Sequence, residues 1–404
     1  MLTHSLCSII IFSRPSDTNR DLSIRFGNLN VLDINLYIQI YQIIDTYNMS
    51  DESEKVVPRQ ELHTFVVRAM EAVGLQSERG SVLADLLVSA DYRGHYSHGL
   101  NRLDMYLNEI KSGTASKENK EPDIVKESAG TALVEGNNLI GPYVARFCMD
   151  LAIQKAKTAG IGFVSCRGSN HFGIAGWYSL RAMEQGFLGM AFCNTSPMMV
   201  PPRGTTRTLG TNPLSLAAPA NNGDSFVLDM ATTAVALGKA ELKDRKGEPL
   251  PSGWTVDKSG HETHDFKDLH GLMPLGGKEE SSGYKGYGLA MMVETFCGIL
   301  SGGAFGPFVR QWKAFERPAN LGQCFIAIDP SQFEEGFTDR MQTLIDACRD
   351  QPSADKDPVL VPGDPERNHM ELCDKLGGIP YHENQITFAN EIAATYKLAP
   401  MKTL

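Results

Sequence analysis

The sequence predicts an α/β (α+β-like) chain: a mostly antiparallel mixed sheet flanked by helices. Three observations carry that expectation. From about residue 131, short apolar runs alternate with stretches that Pro opens and Gly closes, the texture of an α/β unit. Farther on, "LSLAAPA" (214–220) and "SFVLDMATT" (225–233) lie close together with no helix between them, which favours antiparallel neighbours over a doubly wound parallel sheet. Between Pro58 and Gly113 the chain reads almost wholly as helix.

The elements follow in order. "PRQELHTFVVRAMEAVGL" has apolar positions at helical spacing, with Pro58 at its start and Gly74 near its stop. "SERGSVLADLLVSADYRGHYSHGLNRLDMYLNEIKSG" continues as one or two helices ending at Gly113, and the charged stretch "ASKENKEPDIVKES" reads as a linker. "TALVEG" is a strand, and "PYVARFCMDLAIQKAKTAG" is a helix opened by Pro142 and closed by Gly160. "IGFVSCRG" is a buried strand, "AGWYSLRAMEQG" a helix and "FLGMAFCNTS" another strand. Later come a buried Met- and Leu-rich helix, "KGYGLAMMVETFCGILSGG", the strand "CFIAIDP" stopped by Pro330, and helices around "EEGFTDRMQTLIDACRD" and "ERNHMELCDKLGG".

Four regions are expected: residues 1–48 as an extension outside the fold, ending just before the second methionine, Met49; a helical region over 49–125; an α/β domain over 126–305; and a C-terminal region, 306–404, packing back on the first helices. The formal charge of −10 argues against nucleic-acid and anionic-membrane partners, which are bound through clustered Lys and Arg. No run of eighteen apolar residues predicts a membrane span. The eight scattered cysteines, several inside apolar runs, suit a reducing cytoplasmic setting.

Phosphate-loop fingerprints are missing. "GYKGYG" holds its glycines in the reverse order of G-x-G-x-x-G, and "GLMPLGGKEE" lacks both the first Gly and the hydroxyl residue of a P-loop. What remains are local constellations. In "RGHYSHGLNRLDMY" (93–106), His98 and Arg102 are four apart and on a helix would share one face, with His95 three residues before His98. That stretch reads as a polar helix face or as an imidazole acid–base beside a guanidinium that grips a carboxylate. The spacing of three disfavours zinc, and no metal is expected. In "CRGSNHFGIAGWYSLRA", His171 sits on a strand-to-helix loop, either catalytic or capping its own turn. Asp229, at the end of an apolar strand, either orients an imidazole or caps a helix starting near Thr233. Lys285 at a helix start and the turn "LVPGDPE" are two further ligand-contact candidates.

Taken in order, "RGHYSHGLNR", "GSNHFGIAGWYS", "GTNPLSLAAP", "LDMATT", "GYKGYGLAMMVE", "NLGQCFIAIDP" and "VPGDPE" resemble the malate/L-lactate dehydrogenase family of the non-Rossmann type, which includes ureidoglycolate, sulfolactate and diketogulonate reductase-like members. The resemblance runs from about Glu52 to the C-terminal region. It implies a non-Rossmann NAD(P)-binding fold with a helical dimerisation region, a homodimer, NAD or NADP as cofactor, and a small 2-hydroxy or 2-oxo acid as substrate. Malate or L-lactate leads; another 2-oxo acid or a cyclic imine is the alternative, and a catalytically silent binding protein is the reading outside the class. Carried over residue by residue, it implies His98 as proton donor, or His171 as in another branch, with Asp229 in support. Arg102 and Thr211 become substrate ligands. Cofactor contacts fall on Thr195; on Ser225, Phe226, Val227, Leu228, Asp229, Met230 and Ala231; on Tyr284 and Lys285; and on Gly363, Asp364 and Pro365. Asp364 departs from the family, many members of which have Glu or another polar residue there.

Overall fold

The computed structural model describes residues 54–404 other than Lys246 and Asp355, and of Leu242 and Arg245 only the backbone. The extension expected over 1–48 lies outside the described residues. In chain order come β1 (Glu54–Val57), α1 (Arg59–Ala72), α2 (Ser77–Tyr92), a 3-10 turn (Leu100–Arg102) and α3 (Leu103–Ser112). Then follow β2 (Asp123–Glu127), β3 (Thr131–Glu135), α4 (Gly141–Ala159), β4 (Ile161–Ser169), α5 (Gly176–Met183), β5 (Leu188–Cys193), β6 (Leu214–Pro219) and β7 (Ser225–Met230). The last part holds α6 (Leu237–Arg245), β8 (Thr255–Val256), β9 (Gly271–Leu272), α7 (Gly283–Glu294), β10 (Leu321–Ile328), α8 (Phe337–Arg349), α9 (Asp364–Leu376), β11 (Ile379–His382) and α10 (Glu383–Tyr396).

The main sheet has seven strands in the order β2-β3-β4-β10-β5-β6-β7. Only β3 and β4 run parallel; every other pair is antiparallel, as the crowding of the late strands predicts. The long helix α4 packs across β4 and β10, and the core closes around Val134, Met149, Val164, Tyr178, Ala191 and Phe325, all essentially inaccessible. Each large apolar side chain buried this fully stabilises the fold by about 1.5–3 kcal/mol relative to leaving it in water. A separate two-stranded pairing, β1 with β11, ties the start of the described chain to its end. Through it, Tyr381 of β11 reaches the end of α2, a contact that matters below.

Four readings need correction. The stretch 115–128 is not all linker: Asp123–Glu127 forms β2, a fully exposed edge strand whose backbone pairs with β3. Its charged side chains carry no apolar alternation, and that composition is what keeps an edge from pairing further. The segment after Thr233 is not helical; the next helix begins at Leu237. The helix expected to be buried is α7 continued by a π turn over Thr295–Ile299, and Met291, Met292, Ile299 and Leu300 on it are exposed. Finally, β1, β11 and α10 were not anticipated, because short strands of mixed residues acquire meaning only from their partners.

Candidate active site

The stretch 93–106 is not one helix. α2 ends at Tyr92, and Gly94 takes φ of +83°, a left-handed conformation that breaks the helical run. Two successive turns follow, closed by His98 N–H to the His95 carbonyl (2.8 Å) and Arg102 N–H to the Gly99 carbonyl (2.9 Å). His98 and Arg102 therefore meet through a turn, not through helical spacing. The turn is anchored by Asp91, completely buried in the last turn of α2. Its carboxylate accepts the Leu100 N–H at 2.8 Å and the Tyr381 hydroxyl at 2.5 Å, and burial pushes its pKa up to about 7. Gly99 lies directly on that carboxylate, where a Cβ would stand 1.9 Å from Oδ1.

Four elements bring their side chains together here. The His98 and His171 rings stack with centroids 5.9 Å apart and planes inclined by 18°. Tyr106, buried on α3, places its hydroxyl 2.8 Å from His171 Nδ1. Trp312 stands 5.5 Å from the His171 ring, and the Arg102 guanidinium lies over the Trp312 indole at 5.6 Å. Arg102 Nε is buried with no hydrogen-bond partner, and among the described residues the guanidinium has no hydrogen bond or ion pair at all. A half-buried cation left in this state has unpaired donors for a carboxylate.

Both imidazoles are held neutral. Burial first, then the charges of Arg102 and His95, bring His98 down to about 3. Burial, His98 and Arg102 likewise hold His171 well below the usual histidine range. His98 Nδ1 is 2.8 Å from the Ser97 hydroxyl. His171 Nδ1 accepts the Gly173 N–H at 3.3 Å, so this histidine does cap its own turn while its ring also lines the cluster. The loop is further fixed by Asn170, whose side-chain amide donates to the Leu139 carbonyl (2.8 Å) and whose backbone carbonyl accepts from the Gln323 side chain (2.9 Å). Among the described residues no three His, Cys, Asp or Glu side chains are arranged to hold a metal ion.

Asp229 does not touch either imidazole. Its Oδ2 accepts the Gly176 N–H at 2.7 Å, so it caps α5 rather than a helix after Thr233. Burial raises its pKa, with His95, Arg93 and Glu366 as charged neighbours. His95 in turn stands 3.5 Å from Glu366 of α9, tying the His98 turn to that helix.

The proposed cofactor residues gather around β7, the sheet edge. Along it Ser225, Val227 and Asp229 alternate with Phe226, Leu228 and Met230; Val227 packs with Leu180 of α5, and Ala231 follows the strand. The Val227 N–H donates to the Pro362 carbonyl (3.0 Å), which brings the turn before Gly363 and Pro365 onto that edge. Asp364 is already engaged: Arg349, the Val361 N–H and Arg367 outweigh its burial and hold it at about 2. Its carboxylate is committed to the fold rather than open to a ligand. Thr195 and Thr211 approach through their hydroxyls at 3.3 Å, and the Thr211 carbonyl accepts the Thr232 N–H, one residue past Ala231. Tyr284 and Lys285 are exposed at the start of α7, where Gly286 packs on Leu275, itself bonded to the Thr232 carbonyl. No hydrogen bond or ring contact joins Tyr284, Lys285, Gly363 or Pro365 to the imidazole cluster.

Residues 57–388 match the family described as malate/L-lactate dehydrogenase. The chain belongs to that family. The malate dehydrogenase of Pyrococcus abyssi is 40% identical over 352 residues, covering 85% of this chain and 95% of that protein. The NAD(+)-dependent ureidoglycolate dehydrogenase of Escherichia coli K12 is 33% identical over 313 residues, 76% of this chain and 87% of its own. Among solved structures, the malate dehydrogenase of Pyrococcus horikoshii OT3 superposes with a TM-score of 0.79 at 35% identity, covering 87% of this chain and 98% of that one. As a malate/L-lactate dehydrogenase family member, the chain is an NAD(P)-dependent oxidoreductase of hydroxy and oxo acids. The residues present fit a dinucleotide: the end of β7 and the turn seated on its edge bring backbone groups together, Thr195 and Thr211 offer hydroxyls, and Lys285 is an exposed cation without an ion pair among the described residues.

Two members of the cluster escaped sequence reading. Tyr106 follows Arg102 by four residues, a spacing that offered a signal, but a Tyr among apolar neighbours reads as core. Trp312, one of three tryptophans, sits in "FVRQWKAFER", which follows no recognisable pattern.

Proposed function

We propose that this enzyme interconverts a 2-hydroxy acid and its 2-oxo acid, malate or L-lactate first, with Arg102 as carboxylate clamp and His98 as proton-transfer group. The observation that carries this reading is the unpartnered Arg102 guanidinium beside two stacked, neutral imidazoles. A carboxylate taken by Arg102 in a two-point fork orients the carbonyl carbon and directs the carbonyl oxygen to the imidazoles. A bound nicotinamide supplies or accepts hydride at that carbon. As charge grows on the oxygen, His98 neutralises it, a contribution of about 10²–10⁴-fold. Burial is the first cause that holds His98 down and the Arg102 charge the second; a bound carboxylate offsets the second and so favours the protonated imidazole.

In the same reading, β7 from Ser225 to Ala231, Thr195, Tyr284, Lys285 and the backbone around Gly363 and Pro365 hold the cofactor, and Thr211 borders the substrate. The enzyme works as a homodimer, supported by the exposed apolar side chains of Met291, Met292, Ile299, Leu300 and Phe308. A cytoplasmic setting is supported by seven free cysteines among the described residues, six of them buried. The test is a panel of 2-oxo acids with NADH and NADPH, followed at the reduced-nicotinamide absorbance. Oxidation of a reduced cofactor by malate's or lactate's oxo acid is expected; no oxidation with any acid would refute the reading.

A further inference from the structure

The two imidazoles of the cluster are wired differently, and the difference rests on which donors can reverse. His171 Nδ1 faces the backbone N–H of Gly173 (3.3 Å) and the hydroxyl of Tyr106 (2.8 Å). A hydroxyl can turn from donor to acceptor, but a peptide N–H cannot. Nδ1 must therefore present its lone pair, and the neutral ring carries its proton on Nε2. Full protonation would place an N–H on Nδ1 directly against the Gly173 N–H, with the Arg102 guanidinium and His98 as the charged and titratable neighbours on the other elements. Tyr106 is buried, and its hydroxyl has no other partner among the described residues, so it holds the ring in place from α3. His98 is the opposite case. Its Nδ1 faces only the Ser97 hydroxyl (2.8 Å), which accepts from a protonated nitrogen and donates to a bare one. Ser97 can follow His98 through both protonation states; Gly173 cannot follow His171.

We propose that His171 is a fixed Nε2–H hydrogen-bond donor to the substrate oxygen, locked by the Gly173 amide and positioned by Tyr106, and that only His98 exchanges a proton. The assignment rests on the dehydrogenase reading above for its substrate, but the tautomer lock itself does not. Two donors of different kinds then serve one oxygen: His171 stabilises the developing charge without changing state, and His98 delivers the proton that ends it.

The lock is tested on the full chain labelled with ¹⁵N-histidine, by two-bond ¹H–¹⁵N correlation from about pH 5.5 to 8.5. His171 is assigned by the signals lost in His171→Gln. The expected result is one unchanging Nε2–H pattern for His171 over the whole range. An imidazolium or an Nδ1–H form of His171 in that range would overturn the lock. A turnover arm tests the role. His171→Ala should lower kcat/KM by about 10²–10³-fold, the scale for removing one donor to a developing oxyanion. His171→Gln, which can donate an N–H but cannot relay a proton, should recover at least about ten-fold of that loss. A Gln variant as inactive as the Ala variant would assign the proton to His171 and overturn the proposal. The spectroscopic arm needs no substrate, so failure of every acid in the panel would sink the dehydrogenase reading while leaving the lock separately decided.

Discussion

Gly99→Ala is the sharpest perturbation the site offers, because one methyl group meets one carboxylate. The new Cβ would lie 1.9, 2.0 and 2.3 Å from Oδ1, Cγ and Oδ2 of Asp91. Ordinary contact needs well over 3 Å, so either the carboxylate or the turn must move by more than an ångström. The carboxylate cannot move freely: it is completely buried and held by the Leu100 N–H and the Tyr381 hydroxyl. Above neutral pH, where the carboxylate is ionised, losing those two bonds, each worth about 1.5–3 kcal/mol, sets a stability loss of about 3–6 kcal/mol. If the turn moves instead, His98 moves with it, and a misplacement of about 1 Å costs on the order of 10²-fold in rate. The expected outcome is therefore a drop in kcat/KM of about 10²-fold or a clear fall in the urea midpoint, with partial trade-off between them. Urea unfolding and steady-state kinetics on the same preparation check it. A Gly99→Ala enzyme with unchanged midpoint and unchanged kcat/KM would show that Asp91 and Gly99 do not set the position of His98.

Arg102→Ala should raise KM for the 2-oxo acid by about 10²-fold or more, the scale of two charge-assisted hydrogen bonds, while cofactor affinity, read by quenching of protein fluorescence, changes little. Equal loss of cofactor binding would contradict the clamp. His98→Ala should remove most turnover, about 10²–10⁴-fold, again with cofactor affinity nearly intact. The same variant tests the pH dependence of folding. His98 is depressed from 6.5 to about 3, so between those values the unfolded chain binds the extra proton and native stability rises with pH. Wild-type stability should fall as pH drops through that window, and His98→Ala should flatten the slope; identical slopes would mean that burial does not hold His98 neutral.

Much of this protein was legible in the chain itself. Apolar runs and Gly or Pro boundaries located β4, α4 and β10, because buried strands and capped helices leave their periodicity in the residues. The short spacing of "LSLAAPA" and "SFVLDMATT" marked β6 and β7 as antiparallel for a purely geometric reason: no crossover fits between them. His98, Arg102 and His171 stood out as unusual polar residues near glycines. What the chain alone left open was who meets whom. Helical spacing assigned His98 and Arg102 to one face, yet a left-handed Gly94 and the Asp91 anchor bring them together through a turn. Asp229 was open to two readings, orienter of an imidazole or cap of a helix near Thr233, and it caps α5 instead, because its partner Gly176 lies 53 residues away. Tyr106 on His171 and Trp312 over Arg102 are likewise contacts across 65 and more than 200 residues of chain. Local periodicity records how a segment meets water and its own neighbours; the state of a catalytic imidazole depends on which distant donor the folded chain sets against its nitrogen, and only the tertiary structure decides that.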